Sequence, residues 1–270
     1  MTVVEIVAVG NELLLGDVLD TNTHWLCKRI TRLGGRVRRA VLVEDDVEAI
    51  AAEIRGALAR GANVIFTTGG LGPTADDVTL AGVARAAGVP LEESEEALAL
   101  VRAKYKELAE RGYVSDGALT EARRKMACLP KGSLPLANPV GGAPGVVLKI
   151  GGATVISLPG VPKELKGIFQ TSLQPILAEL FGAGTFVEKT VIVDHGDEST
   201  LAPILERVAG DNPSVYIKSL AKRFGPRRRL RVIFSMAGSD RAEVEAALDR
   251  ALAEFKRALA DAGLSIASIE

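Results

Sequence analysis

The residues of this 270-residue chain best suited to chemistry lie in one short run, Thr68-Gly-Gly-Leu-Gly-Pro-Thr-Ala-Asp-Asp-Val-Thr79. Gly69, Gly70 and Gly72 allow positive φ and close approach of the backbone to a ligand. A helix opening near Asp76 or Asp77 adds unpaired N–H groups and a partial positive charge. Together with Thr74 this makes a candidate site for a phosphate or diphosphate. The run lacks both the Lys-Ser/Thr pair of a P-loop and the GxGxxG dinucleotide spacing. Asp76 and Asp77 would repel such a ligand unless a cation lay between, and Mg²⁺ takes one or two carboxylates plus phosphate oxygens. The plainer alternative is that Asp76 caps the helix and Asp77 matches its dipole.

Three further segments belong beside this one. Gly10-Asn-Glu-Leu-Leu-Leu-Gly16 and Asp20-Thr-Asn22 follow the first strand. There Glu12 is a candidate second metal or base carboxylate, and Asn22 either bonds a ligand or caps its helix. Asn138-Pro-Val-Gly-Gly-Ala-Pro-Gly145 is a loop of turn-formers. Leu158-Pro-Gly-Val-Pro-Lys-Glu164 repeats the strand, Gly/Pro turn and helix N-terminus arrangement around Gly160. In its first turn Lys163 suits a phosphate, whereas Glu164 reads as a dipole-matched surface residue. Lys125, taken alone, reads as a solvated charge. His24 and His195 are the only histidines, and with no CxxC or HExxH a zinc site is not expected. Arg227–Arg229 read as an exposed hairpin tip or a partner contact, and Cys27 and Cys128 as core residues.

The elements that position these segments alternate. β-Branched runs at Val3–Val9, Val37–Val43 and Val64–Thr68 read as strands. Helical patterns follow them, one capped at Thr21 or Asn22 and one at Asp45-Asp46, which implies parallel strands with helices on both faces. Residues 91 to 127 read as helical and more polar. Val146–Ile150 and Thr154–Leu158 read as a hairpin about Gly151-Gly152 that adds an antiparallel element. Gly167–Phe181 reads as helical, with a break or restart at Pro175. A boundary at Gly182-Ala183-Gly184 divides residues 1–181 from a small α+β domain over 185–270. Its order is strand, helix, strand, a Gly225-Pro226 turn, strand and long helix, and residues 265–270 read as a frayed tail or a short extra strand.

Lys+Arg number 33 and Asp+Glu 34, a net charge of −1. Non-specific nucleic-acid binding needs a basic surface, so that class is excluded while a small nucleotide ligand is not. The mix of 47% hydrophobic and 25% charged residues is that of an ordinary globular protein. Two cysteines, no basic leader and no apolar run near about 18 residues point to the cytoplasm, with no membrane partner.

The five ordered motifs, at Gly10–Gly16, Asp20–Asn22, Thr68–Thr79, Asn138–Gly145 and Leu158–Glu164, resemble the N-terminal portion of the competence/damage-inducible CinA proteins, within the MoaB/Mog molybdopterin-binding superfamily. The resemblance spans residues 3 to 180, and 185–270 is similar to the CinA middle domain. It implies a three-layer α/β/α sandwich with a mostly parallel mixed sheet, a homo-oligomer, and a form without the nicotinamide-nucleotide amidase domain. It also implies metal-dependent ADP-ribose pyrophosphatase activity using Mg, Mn or Co. The alternatives are adenylyl transfer to molybdopterin or a non-catalytic nucleotide- or pterin-binding module. No organic cofactor is expected, though molybdopterin is a possible ligand. On this reading Gly69, Gly70, Gly72, Thr74, Asn22, Asn138 and Gly160 bind ligand. Asp76, Asp77 and Glu12 hold metal, and Asp76, Asp77, Lys125 and Lys163 act in catalysis. Met126 stands where the family usually has Gln, and one glycine of Asn138–Ala143 stands where Thr is usual.

Overall fold

The computed structural model describes residues 1–182, 184–220, 229–238 and 240–270. The chain divides into two compact units, Met1–Ile30 with Gly35–Phe181, and Thr31–Gly34 with Gly182–Glu270. Ala183, the Gly225-Pro226 turn, and Arg227 and Arg228 lie outside the described residues.

The first unit runs β1 (Val3–Val9), α1 (Asn11–Leu15), α2 (Thr21–Arg32), β2 (Arg36–Val43), α3 (Val47–Ala59), β3 (Val64–Thr68) and α4 (Thr79–Ala87). It continues with β4 (Leu91–Glu93), α5 (Glu95–Glu110), α6 (Glu121–Lys125), β5 (Cys128–Pro130), β6 (Leu134–Leu136), β7 (Gly145–Ile150), β8 (Ala153–Leu158), α7 (Pro162–Gln170) and α8 (Gln174–Phe181). Its main sheet has the order β2-β1-β3-β8-β7-β6. β2, β1, β3 and β8 are parallel neighbours, and β7 runs antiparallel to both β8 and β6.

Alternation along β3 explains the three layers. Ile65 packs with Val7, Val9 and Val155 against Ile50, Ile54 and Ala57 of α3 and Val83 of α4. Phe66 projects to the other face, where its ring centroid lies 6.4 Å from that of Phe169 on α7, itself in edge contact with Trp25 of α2. Helices thus cover both faces, as parallel strands require. Between β3 and β8 the buried Thr67 hydroxyl donates to the Ser157 hydroxyl at 2.8 Å.

Several boundaries differ from the sequence expectation. α4 begins at Thr79 rather than near Asp76 or Asp77, because the Asp77 carboxylate is turned back onto its own loop. α2 is capped by neither Thr21 nor Asn22, since Asp20 accepts from the Thr23 N–H at 2.9 Å. Of Asp45 and Asp46, Asp46 is the N-cap of α3 and Asp45 accepts from the Asn11 N–H at 2.8 Å. The helical stretch near the end of this unit starts at Pro162 and is interrupted over Thr171–Leu173; Pro175 sits in the first turn of α8, so it marks a restart.

The second unit comprises β9 (Thr185–Val193), α9 (Glu198–Asp211), β10 (Tyr216–Leu220), β11 (Leu230–Gly238), α10 (Arg241–Asp261) and β12 (Ile266–Ile269). Its antiparallel sheet has the order β10-β11-β9-β12, so the terminal residues form a strand. Val191, Val193, Val232 and Phe234 pack against Leu248, Ala251 and Phe255 of α10. Arg229 pairs with Asp194 at 3.1 Å. No described helix is long and apolar enough to cross a membrane.

Candidate functional site

The carboxyl ends of the parallel strands carry the glycine segments to one place, the usual ligand position in an open α/β sheet. A cleft of about 500 Å³ is lined by Glu12 from the loop after β1, Gly69–Pro73 and Asp77 after β3, Gly142 and Ala143 before β7, and Pro159–Val161 and Glu164 after β8. Tyr105 of α5 and Met126 complete the lining.

Backbone approach accounts for the glycines. Gly69 has φ +93° and Gly70 has φ +63°. A Cβ on Gly69 would collide with the Val9 carbonyl oxygen, and one on Gly70 with the Thr79 hydroxyl. That hydroxyl donates to Gly69 O at 2.8 Å, and the Thr79 N–H donates to Gly70 O at 3.2 Å, so the loop is tied to the start of α4. The Gly69 N–H donates to Leu158 O at 3.0 Å and is therefore spent within the fold. Among the described residues the N–H groups of Gly70, Leu71 and Gly72 have no protein acceptor.

Asp77 and Thr74 form a closed turn. The Thr74 N–H and hydroxyl donate to Asp77 Oδ2 at 2.8 and 2.5 Å. Asp76 is exposed and outside the cleft lining. Lys125 is no solvated charge: its Nζ donates to the carbonyls of Thr74 and, at 2.9 Å, Asp77. It therefore braces the loop by bonding two of its carbonyl oxygens.

The structure separates the remaining sequence candidates. Asn22 is buried, and its Nδ2 donates to Gly160 O at 2.6 Å, fixing the second glycine turn. Its Oδ1 is buried without a described partner. Gly160 lies against Gly69, where a Cβ would stand 3.3 Å from the Gly69 Cα. Asn138, only 7% exposed, works inside its own loop. Its Oδ1 accepts from the Val140 and Gly141 N–H groups, each at 2.9 Å, and its Nδ2 donates to Ala143 O at 2.8 Å. Lys163 is exposed and absent from the lining.

Glu164, read from sequence as a surface residue, lines the cleft instead. Asn138 Nδ2 donates to its Oε2 at 2.7 Å. Burial pushes its carboxyl above the usual range, against that bond. Tyr105 was not anticipated either. Its ring carries the Arg123 guanidinium at 4.0 Å and rests on Gly142, where a Cβ would lie 2.7 Å from Tyr105 Cε2. Beside the Asn138–Gly145 and Leu158–Glu164 motifs themselves, the two departures from the CinA pattern, Met126 and a glycine of Asn138–Ala143, are the sequence signals near this corner.

Among the described residues no three His, Cys, Asp or Glu side chains are gathered to hold a metal. Glu12, Asp76 and Asp77 do not form one cluster; Glu12 and Asp77 share the cleft. Mg²⁺ takes one or two carboxylates from a protein when phosphate oxygens and water fill its remaining positions, and Glu12 and Asp77 are lining carboxylates of that chemical type.

Comparison with known proteins follows the same outline. A family model described as "Probable molybdopterin binding domain" matches residues 5–179. A protein of Aeropyrum pernix is 45% identical over 264 residues, covering 97% of this chain and 95% of its own length. A protein of Pyrococcus horikoshii is 42% identical over 225 residues, covering 83% and 86%. The crystal structure of the protein CinA with unknown function from Thermoplasma acidophilum matches with a TM-score of 0.59 and 37% identity, over 65% of this chain and 99% of that one.

Proposed function

This chain belongs to the family of the probable molybdopterin binding domain, and from that premise we propose that it is a divalent-metal-dependent hydrolase of the diphosphate in ADP-ribose or a related nucleotide sugar. The observation that carries this reading is one cleft holding three unpaired amides, Gly70 to Gly72, beside the Glu12 and Asp77 carboxylates. The resemblance to CinA proteins supplies the substrate class.

The amides would bind phosphoryl oxygens without a charged side chain. Water would add to one phosphorus, the bond from that phosphorus to the bridging oxygen would break, and AMP and ribose 5-phosphate would leave. Asp77 and Glu12 are the residues that would hold a divalent cation, whose chemistry is to neutralise charge on the phosphoryl oxygens. Lys125 acts on the geometry: it pins the Thr74–Asp77 turn, so the Asp77 carboxylate needs little rearrangement when ligand enters.

The test is ADP-ribose turnover with Mg²⁺, Mn²⁺ or Co²⁺, with nucleotides separated by chromatography and Asp77→Asn run beside wild type. AMP from wild type alone supports the reading; equal turnover by Asp77→Asn removes Asp77 from it. The family description favours a second reading, adenylyl transfer to a pterin phosphate, in the same cleft. ATP consumption that depends on a pterin acceptor would select it.

A further inference from the structure

The cleft is lined by two chemically different sets of residues. One is the glycine turn with Glu12 and Asp77. The other is Leu71, Tyr105, Met126 and Ala143, which belong to one apolar cluster, together with Glu164, whose carboxyl lies against Gly141, the neighbour of the Gly142 on which Tyr105 rests. Leu71, Met126 and Ala143 are almost fully buried apolar side chains. Tyr105 is held in place by Arg123, which is itself anchored by Asp116 at 3.2 Å.

Glu164 is fixed at this lining by Asn138. Asn138 makes bonds to Val140, Gly141 and Ala143 and spends its remaining donor on Glu164 Oε2. Gly141 leaves room for the carboxyl, since a Cβ there would collide with it. Oε1 has no described donor. A half-buried carboxylate with one oxygen clamped and the other without a described donor accepts hydrogen bonds only, as long as it is ionised. It rewards a ligand that brings an N–H and penalises one that presents a carbonyl in the same place.

We propose that this part of the cleft is a heterocycle subsite in which Glu164 Oε1 accepts a hydrogen bond from an exocyclic amino group of the ligand's ring. The inference rests on the proposed function for the direction of binding, phosphate at the glycine turn and ring beside Tyr105. The shared chemistry is an amino-bearing heterocycle, whether the 6-amino group of adenine or the 2-amino-4-oxo edge common to guanine and pterin. Burial favours the protonated carboxyl, so the preference is present above the raised pKa and fades below it. The other titratable groups facing the cleft are Glu12, Asp77 and Tyr105. Lys104, bonded to Glu107 and to Pro139 O, flanks the Asn138 loop.

The test is calorimetric binding of AMP, GMP and IMP to the full chain and to Glu164→Gln, with ADP-ribose turnover measured alongside. AMP and IMP differ at position 6, and GMP and IMP by the 2-amino group alone. Wild type should bind AMP, GMP or both about tenfold tighter than IMP. The glutamine variant should bring the favoured ligand to within about twofold of IMP, because its amide can donate to a carbonyl. Tighter AMP assigns the subsite to adenine, and tighter GMP assigns it to the 2-amino edge. Equal binding of all three, binding of none, or discrimination that survives in a folded Glu164→Gln overturns the subsite. Discrimination without turnover overturns the hydrolase reading alone, and turnover without discrimination overturns the subsite alone.

Discussion

Two ends of the same parallel sheet hold two carboxylates under opposite rules. Toward the start of β1, Glu5 is 2% exposed and receives Arg38 at 2.6 Å and Arg60 at 2.6 Å. Burial alone would push its carboxyl up, but the hydrogen bonds and charges of Arg60 and Arg38 outweigh that and hold it below the usual range. At the carboxyl end Glu164 is half-buried, its one described partner is a neutral amide, and burial raises it. The first end has matched donors and acceptors. The second leaves amide N–H groups and a carboxylate oxygen uncommitted. Uncommitted polar groups in a cleft cost stability and are what a ligand can use. The sheet thus keeps its doubly paired carboxylate and its cleft carboxylate toward opposite ends of its strands.

The sharpest way to break that comparison is to exchange the effects. Asp77→Asn should lower ADP-ribose turnover about 100-fold or more while leaving the thermal midpoint near wild type, because the Thr74 turn can still close on an amide oxygen. Turnover within a few-fold of wild type would remove the binding end's claim to the chemistry.

Next in size, Gly69→Ala should cost about 2–4 kcal/mol in chemical denaturation and abolish phosphate binding, because its Cβ meets the Val9 carbonyl at positive φ. Gly61→Ala is its control. That glycine has φ +76° and open space around it, so only the backbone strain remains, about 1–2 kcal/mol, with turnover unchanged. Equal costs at the two sites would mean that close backbone approach is not what the glycine turn needs.

Glu5→Gln should lose about 1–3 kcal/mol at pH 7 and leave turnover intact. Since the folded-state carboxyl of Glu5 is lowered, its stabilisation is full above the unfolded value and is lost as pH falls through the folded value. The gap between wild type and variant should therefore narrow in acid, as denaturation at several pH values would reveal. Glu164→Gln should show the smallest effect and the opposite sign. The raised carboxyl makes the ionised side chain a liability at neutral pH, so the variant is slightly more stable there. The difference closes as pH falls through the raised value and the wild-type group becomes neutral. A variant less stable than wild type at neutral pH would indicate that Glu164 has a charged partner.

Local signals carried much of the frame. The run Val64–Thr68 predicts β3 as observed, and the Gly151-Gly152 hairpin and the order of the second unit's elements follow from periodicity and turn residues. Roles that depend on a partner distant in sequence were the ones misread. Glu164 and Lys163 are adjacent in sequence; charge matched the lysine to a phosphate, and dipole logic left the glutamate on the surface. The cleft contains the glutamate because Asn138, 26 residues earlier, holds it there. Lys125 looked solvated because its acceptors, the carbonyls of Thr74 and Asp77, belong to a loop about fifty residues away. Tyr105 left no signal of its own, since its place depends on the absence of a Cβ at Gly142.

Periodicity and turn residues in the chain already specify the alternation of strands and helices and the glycine turns at strand ends, which is why the sequence points to a cleft at the carboxyl edge of a parallel sheet. Those features follow from backbone preferences and short-range periodicity, which a reader of one chain can evaluate locally. The tertiary structure decided which polar groups were already spent: the Gly69 N–H on Leu158, Asn22 on Gly160, Lys125 on two carbonyls. It also decided which stayed available, the Gly70–Gly72 amides and one oxygen of Glu164. A donor or acceptor is free only after every other one has been paired, and pairing is a property of the whole fold.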